Sequence, residues 1–181
     1  ASHTAEVVLE DVRIPGRCLL GGKEKLDAKL ARYREGTSSG KQPAMATFEA
    51  TRPAVGAQAL GVARAAYEYS LEYAKERQAF GQSLLDFQNT AFSLADIKTE
   101  VTIGRAFLDH CTNLLLQGEL DAATASMAKL WITEREVDGI NRCVQFFGGY
   151  GWMNEYPIAQ LYKDARIDTI HGGTSEIMRL L

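Results

Sequence analysis

From about residue 44 onward, apolar residues recur at the three- and four-residue spacing of helix faces. Residues 44–75 carry Phe48, Val55, Leu60, Val62 and Tyr67 among many alanines, which predicts a first long helix. Pro53 falls inside it. Either the helix starts near Arg52 with the proline in its first turn, or it is kinked there. Gly56 and Gly61 predict close helix packing. A second long helix is predicted over 84–117, with Phe87, Phe92, Leu94, Ile97, Val101, Phe107 and Leu108, ended by Gly118. A third is predicted over 120–147, with Met127, Leu130, Trp131, Val137, Ile140 and Val144, ended by Gly148 and Gly149. A short helix near 157–165 follows. Helices of about 28–34 residues span about 40–50 Å. Short connections make such helices antiparallel neighbours, so the expected fold is all-α, an up-and-down four-helix bundle over 44–181.

Before residue 44 the pattern changes. Residues 4–14 are rich in β-branched side chains and read as a strand, broken by Pro15 and Gly16. One strand cannot stand alone, so residues 1–20 are expected to be the end of a sheet domain whose larger part lies outside this chain. Residues 23–35 read as a short charged helix with Leu26, Leu30 and Tyr33 on one side. A flexible loop is expected over 36–40, and 21–43 as a whole reads as a linker or insertion.

Composition narrows the classes. A hydrophobic share of 46% and a charged share of 24% fit a globular chain and exclude disorder. A net charge of −3 offers no basic field to nucleic acid. No apolar run approaches the ~18 residues of a membrane helix. Cys18, Cys111 and Cys143 are an odd number without CxxC spacing, which predicts reduced thiols and no zinc site. Three scattered histidines form no metal cluster. The expected compartment is the cytoplasm, or the mitochondrial matrix in a eukaryote.

The stretch Ile170-His171-Gly172-Gly173-Thr174-Ser175-Glu176-Ile177 is a turn leading into a helix start, with Thr174 or Ser175 as N-cap. Paired glycines let backbone approach a ligand closely, and a helix N-terminus suits an anion. Upstream stand Arg77-Gln78-Ala79-Phe80-Gly81, Gln88 and Gln145-Phe146-Phe147-Gly148-Gly149-Tyr150-Gly151. Taken singly, Arg77 also reads as a helix C-terminal cap and Gly148-Gly149 as a plain glycine stop.

Together, in this order and spacing, these patterns resemble the C-terminal helical domain of the acyl-CoA dehydrogenases. The tail, with Asn154-Glu155-Tyr156-Pro157 and Lys163-Asp164-Ala165-Arg166 before it, is most similar to long-chain members. The resemblance implies FAD-dependent oxidation of an acyl-CoA at Cα–Cβ. A carboxylate removes the α-proton while hydride leaves the β-carbon. It implies that Arg77, Gln78, Ala79, Phe80 and Gln88 reach FAD across a subunit interface. Gln145, Phe146, Phe147, Gly148 and Gly149 then wrap the adenosine end of FAD in the neighbouring subunit. Thr174, Ser175 and Glu176 contact FAD in the same subunit. Glu49, Ala50, Thr51 and Arg52, with Gly173, meet CoA or the acyl thioester. Glu49 reads equally as a solvated helix carboxylate. The implied partners are acyl-CoA, an electron-transfer flavoprotein and further subunits, as a dimer of dimers or with a paralogue.

One departure stands out. The two positions from which the family supplies its catalytic glutamate correspond here to Gly172 and Thr51. Glu49 lies ~200° around a helix from residue 51, and His171 adjoins position 172, but no base follows from the sequence. Three other readings remain beside the dehydrogenase: a non-catalytic FAD-binding subunit paired with a paralogue, a flavin monooxygenase on the same fold, and a plain structural bundle.

Overall fold

A computed structural model describes residues 5–36 and 43–181, with side chains from residue 47 onward in the second stretch. The chain divides into two compact units, one within residues 2–45 and one over 46–181.

In the first unit, a 3-10 turn (Gly16–Cys18) precedes helix α1 (Gly22–Arg34), close to the expected 23–35. No residue of α1 is buried. The strand expected over 4–14 is not formed at 5–14, and Thr4 lies outside the described residues. Val7, Val8, Leu9, Val12 and Ile14 are all exposed. A strand exists only through a partner's hydrogen bonds, and no described residue pairs with this segment. Of the loop expected over 36–40, residues 37–40 lie outside the described residues.

The second unit is the expected up-and-down bundle. Helix α2 (Pro43–Glu76) runs unbroken through Pro53, so the helix starts well before Arg52. Its buried face is small: Ala59, Ala63, Ala66, Ser70 and Ala74 repeat every three or four residues. Short side chains there let the neighbouring helices come close. Helix α3 (Gln88–Gln117) buries Thr90, Leu94, Ile97, Gly104, Leu108 and Cys111 on one stripe. Gly118, in the left-handed conformation, ends it as expected. Helix α4 (Ala122–Phe147) starts on Asp121, whose carboxylate accepts from the Thr124 amide at 2.8 Å. That cap, worth about 1 kcal/mol, moves the start two residues past the expected 120.

Cross-contacts give the directions. Gly104 of α3 meets Leu60 of α2 and Ile132 of α4, while Ile97 meets Gly139 and Lys98 lies over the Tyr67 ring of α2. Helix α3 is therefore antiparallel to both. Gly56 sits against Ile132 and the Ala128 carbonyl, the close packing expected of it. Gly61 makes no such approach. Helix α5 (Pro157–Ala165) returns along α4, with Tyr156 against Phe147 at one end and Ala165 beside Ile140 at the other. A 3-10 turn (Arg166–Thr169) and helix α6 (Ser175–Leu180) complete this fourth strut. Ile97, Ile140, Phe147 and Ile158 form the centre of the core. Each such side chain contributes about 1.5–3 kcal/mol on burial.

Candidate functional site

The connection between α2 and α3 is a small hairpin that the hydrophobic pattern did not announce. Strand β1 (Gln78–Ala79) pairs with β2 (Gln82–Ser83). Phe80 and Gly81 form the two-residue loop, with φ of 52° and 85°. Both angles are left-handed, as a primed hairpin turn requires. Glycine accepts this at no cost; phenylalanine loses roughly 1–2 kcal/mol. No turn rule selects phenylalanine here, so sequence reasoning missed the hairpin. Ser83 and Asp86 then close a capping box, which delays α3 from the expected 84 to Gln88. Phe80 is 98% exposed, touching only the edge of the Phe87 ring at 6.4 Å. Replacing Phe80 by Asn, which tolerates the left-handed region, is expected to raise stability by up to about 1 kcal/mol; urea denaturation of wild type and variant checks this.

Arg77, at the end of α2, faces the end of α4 across a cleft of about 370 Å3. The lining joins Arg77 to Gln145, Phe146, Phe147, Gly148 and Gly149, with Tyr73, Leu84 and Tyr150. The guanidinium carbon lies 5.5 Å from the centre of the Tyr150 ring. Stacked rings make the floor: Tyr73 on Phe147 at 4.0 Å and Tyr150 on Tyr156 at 5.2 Å. Gly148 has a φ of 55°, and nothing lies within 4 Å of where a Cβ would stand on Gly148 or Gly149. Bare backbone, an arginine fork and aromatic faces therefore meet in one place. Gln78, Ala79 and Phe80 stand on the hairpin next to this cleft. Gln88, at the start of α3, is exposed and not part of its lining.

A separate cleft of about 510 Å3 holds Thr174, Ser175 and Glu176 against Glu134, Arg135, Asp138 and Asn141 of α4, with Arg166 at its edge. Thr174 is the N-cap of α6 and accepts from the Ile177 amide. The Glu176 carboxyl is held below its ordinary range by its own backbone amide and the Thr174 hydroxyl.

Beneath that turn lies a buried polar cluster that the sequence reading did not find. Lys129, 0% exposed, donates from Nζ to the Gly173 carbonyl at 2.7 Å. Asp168, 1% exposed, accepts from Gln58 of α2 at 3.1 Å and bonds His171 Nε2 at 2.7 Å. Glu136 is fully buried, and neither carboxyl oxygen has a hydrogen-bond partner. Burial and the nearby Asp168 charge push its pKa up to about 9, so at neutral pH it keeps its proton. Burial pulls the Lys129 ammonium down, while the Asp168 charge partly restores it. The available signal was positional. Lys129 and Glu136 are seven residues apart on the α4 stripe that also buries Ala125, Ile132 and Cys143.

The chain over residues 38–181 matches the family profile of the acyl-CoA dehydrogenase C-terminal domain. The chain belongs to the acyl-CoA dehydrogenase family. It is 38% identical over 181 residues to the long-chain specific acyl-CoA dehydrogenase, mitochondrial, of Mus musculus, covering 100% of this chain and 39% of that protein. The chain thus spans about two-fifths of the length of that curated relative. Butyryl-CoA dehydrogenase of Megasphaera elsdenii has a similar structure, with a TM-score of 0.74 and 36% identity over 76% of this chain and 36% of that one. A chain in the structure described as the electron transferring flavoprotein of Acidaminococcus fermentans matches equally, with a TM-score of 0.74, 36% identity and the same coverage.

In this acyl-CoA dehydrogenase domain, the two positions expected to carry a carboxylate come close together in space. A Cβ on Gly172 would stand 3.4 Å from Val55. Thr51, Val55 and Gln58 are spaced i, i+4 and i+7, one face of α2. The 168–172 segment lies along that face, through Val55 and Gln58. Neither position holds an acid. Gly172 and Gly173 have φ of 68° and 110°, a backbone that glycine alone accepts freely. Thr51 is exposed, and its hydroxyl donates to the Phe48 carbonyl at 3.1 Å. Glu49, half-buried, sits ~200° around the axis from Thr51 and so off this face. Arg52, expected to meet CoA or the thioester, is buried at 2% exposure, and its Nη1 donates to Ser126 of α4 at 3.0 Å.

Proposed function

We propose that the protein containing this chain oxidises acyl-CoA thioesters to enoyl-CoA with FAD. The observation that carries this reading is the cleft that unites Arg77 with Gln145–Gly149. A guanidinium donates two hydrogen bonds to a pyrophosphate, and glycine backbone approaches phosphate closely. The face of Phe146 suits a purine. The residues present therefore fit the adenosine diphosphate half of FAD. FAD would supply a two-electron acceptor for hydride from the β-carbon. Arg77 would bind and orient, the Gly148–Gly149 backbone would allow close approach, and Gln78–Phe80 would extend the contact.

Two clefts on one chain, one with Arg77 and one with Thr174–Glu176, support service to two different cofactors in an assembly. The exposed, strained Phe80 fits the same reading as a contact with a neighbouring subunit or its flavin. An electron-transfer flavoprotein as electron acceptor is supported by the description of the Acidaminococcus fermentans structure. A second reading, a flavin-binding subunit that depends on a catalytic paralogue, is favoured by one observation: neither Gly172 nor Thr51 is an acid.

Anaerobic mixing of the full-length holoprotein with acyl-CoAs of graded length tests the proposal. The flavin is expected to bleach with at least one of them. Arg77→Gln is expected to weaken flavin binding by about 10–100-fold, the worth of a charged hydrogen bond, and Phe80→Asn to weaken self-association by sedimentation. Flavin that stays oxidised with every acyl-CoA, in a protein that binds them, would leave the partner-dependent subunit as the answer.

A further inference from the structure

We infer that His171, oriented by Asp168, is the proton acceptor of this site. The inference rests on the dehydrogenase reading and supplies the base that Gly172 and Thr51 do not.

The placement comes first. Asp168 is tied to Gln58 of α2, and Gly172 lies against Val55 of the same helix. His171 stands between these two anchors in sequence, so its segment is pinned along the α2 face that also carries Thr51. It thus adjoins position 172 and lies against the stretch of α2 between Val55 and Gln58, about one to two turns from Thr51. The turn at Gly172 and Gly173 is held from the other side by Lys129, bonded to the Gly173 carbonyl. The backbone that presents His171 is fixed from two helices.

The chemistry follows from the pairing. His171 Nε2 lies 2.7 Å from Asp168 Oδ1. A carboxylate accepts the Nε2 hydrogen and so selects the tautomer whose Nδ1 carries a free lone pair. Nδ1 makes no hydrogen bond among the described residues. The histidine side chain is 37% exposed and the aspartate 2%. One end of the dyad can therefore meet a ligand, while the other is sealed from water. The groups that face the dyad are Lys129 and Glu136 on α4 and Gln58 on α2, with Arg52 of α2 bonded to α4 nearby. Glu136 stays protonated at neutral pH.

The step balances. Nδ1 takes the α-proton, and the Cα–H electron pair becomes the second Cα–Cβ bond. The β-hydrogen would leave with its own pair to a bound flavin, which supplies the two-electron acceptor. Imidazolium then returns its proton to water. Like any positioned base, His171 is expected to contribute about 10²–10⁴-fold.

The test uses the full-length holoprotein in deuterium oxide with a 3-thia-acyl-CoA. This analogue has acidic α-hydrogens and sulfur in place of the β-carbon, so it can exchange but cannot give hydride. Mass spectrometry reads deuterium at the α-carbon, and the flavin spectrum reads binding. Wild type is expected to exchange. His171→Gln is expected to slow exchange by at least about 10²-fold with flavin content and analogue affinity retained. Asp168→Asn is expected to slow it less. Adding Thr51→Glu to His171→Gln is expected to restore part of the exchange, which a merely structural role for His171 does not predict. Exchange by His171→Gln within a few-fold of wild type overturns the inference and leaves the dehydrogenase reading intact. So does a wild type that binds the analogue without exchange, or Glu49→Gln abolishing exchange while His171→Gln does not. A holoprotein that binds no acyl-CoA at all sinks the dehydrogenase reading and the inference with it.

Discussion

Lys129→Met is expected to lower stability by about 3 kcal/mol, because it strips a buried charge cluster of its cation. Methionine fills much of the volume of the lysine stem, so the loss is not a cavity effect. What disappears is the bond to the Gly173 carbonyl and the positive charge nearest the buried Asp168. An acceptor left without its donor costs about 1–3 kcal/mol, and an uncompensated buried carboxylate adds to that. For a chain of this size the melting temperature falls by roughly 6–12 °C. The mechanism makes a second demand. In Lys129→Met combined with Asp168→Asn, the buried anion is gone as well, so the two losses add to less than their sum by about 1–2 kcal/mol. Strict additivity in a double-mutant cycle would show that Lys129 acts by packing alone.

Glu136→Gln is expected to do the opposite. The folded protein holds the Glu136 proton up to about pH 9, whereas the unfolded chain releases it near the ordinary 4.5. Between those values folding takes up a proton, so stability falls as pH rises, by at most about 1.4 kcal/mol per pH unit. By pH 7 the accumulated loss is about 3 kcal/mol. Glutamine has the shape of the protonated acid and never ionises. The contribution from Glu136 is fully present below pH 4.5 and is lost as pH rises toward 9. The variant should therefore match wild type near pH 4 and exceed it increasingly toward pH 9. Urea denaturation at pH 4.5, 7 and 8.5 measures the gap. Curves that run parallel across that range would mean that Glu136 is ionised in the folded protein.

The bundle was legible because its signals are local and repeated. The stripe of Leu94, Ile97, Leu108 and Cys111 on α3 and the glycine stop at Gly118 follow from periodicity and backbone freedom alone. The same holds for the turn at Gly172 and Gly173, where paired glycines announce positive φ, and for an N-cap at Thr174 or Ser175, of which the structure uses Thr174. The strand expected over 4–14 is not formed at 5–14 for the converse reason. Its β-branched residues state a preference, but a ladder is made by a partner, and none of the described residues supplies one. Gly61 failed as a packing glycine because periodicity does not say which side of a helix meets a neighbour.

The candidate site divides along the same line. Arg77, Gln145–Gly149 and Thr174–Glu176 were named from what the resemblance to the acyl-CoA dehydrogenases implies, through short motifs that the linear chain preserves. That Arg77 and Gly148 share one cleft, while Thr174 lines another, depends on how α2 and α4 lie together. The hairpin at Phe80 was hidden because its backbone conformation runs against the residue's own preference. Lys129, Glu136 and Asp168 were hidden because a charged residue on a sequence reads as surface until its neighbours are known. Burial and pairing arise between Lys129 and Gly173, or Gln58 and Asp168, at separations of 44 and 110 residues. The linear chain thus carried the helices, their stops and the motif residues, each set by contacts within a few positions. Only the packed structure placed His171 on Asp168 and Gly172 against Val55, because electrostatics acts through space and no local pattern encodes distance across a core.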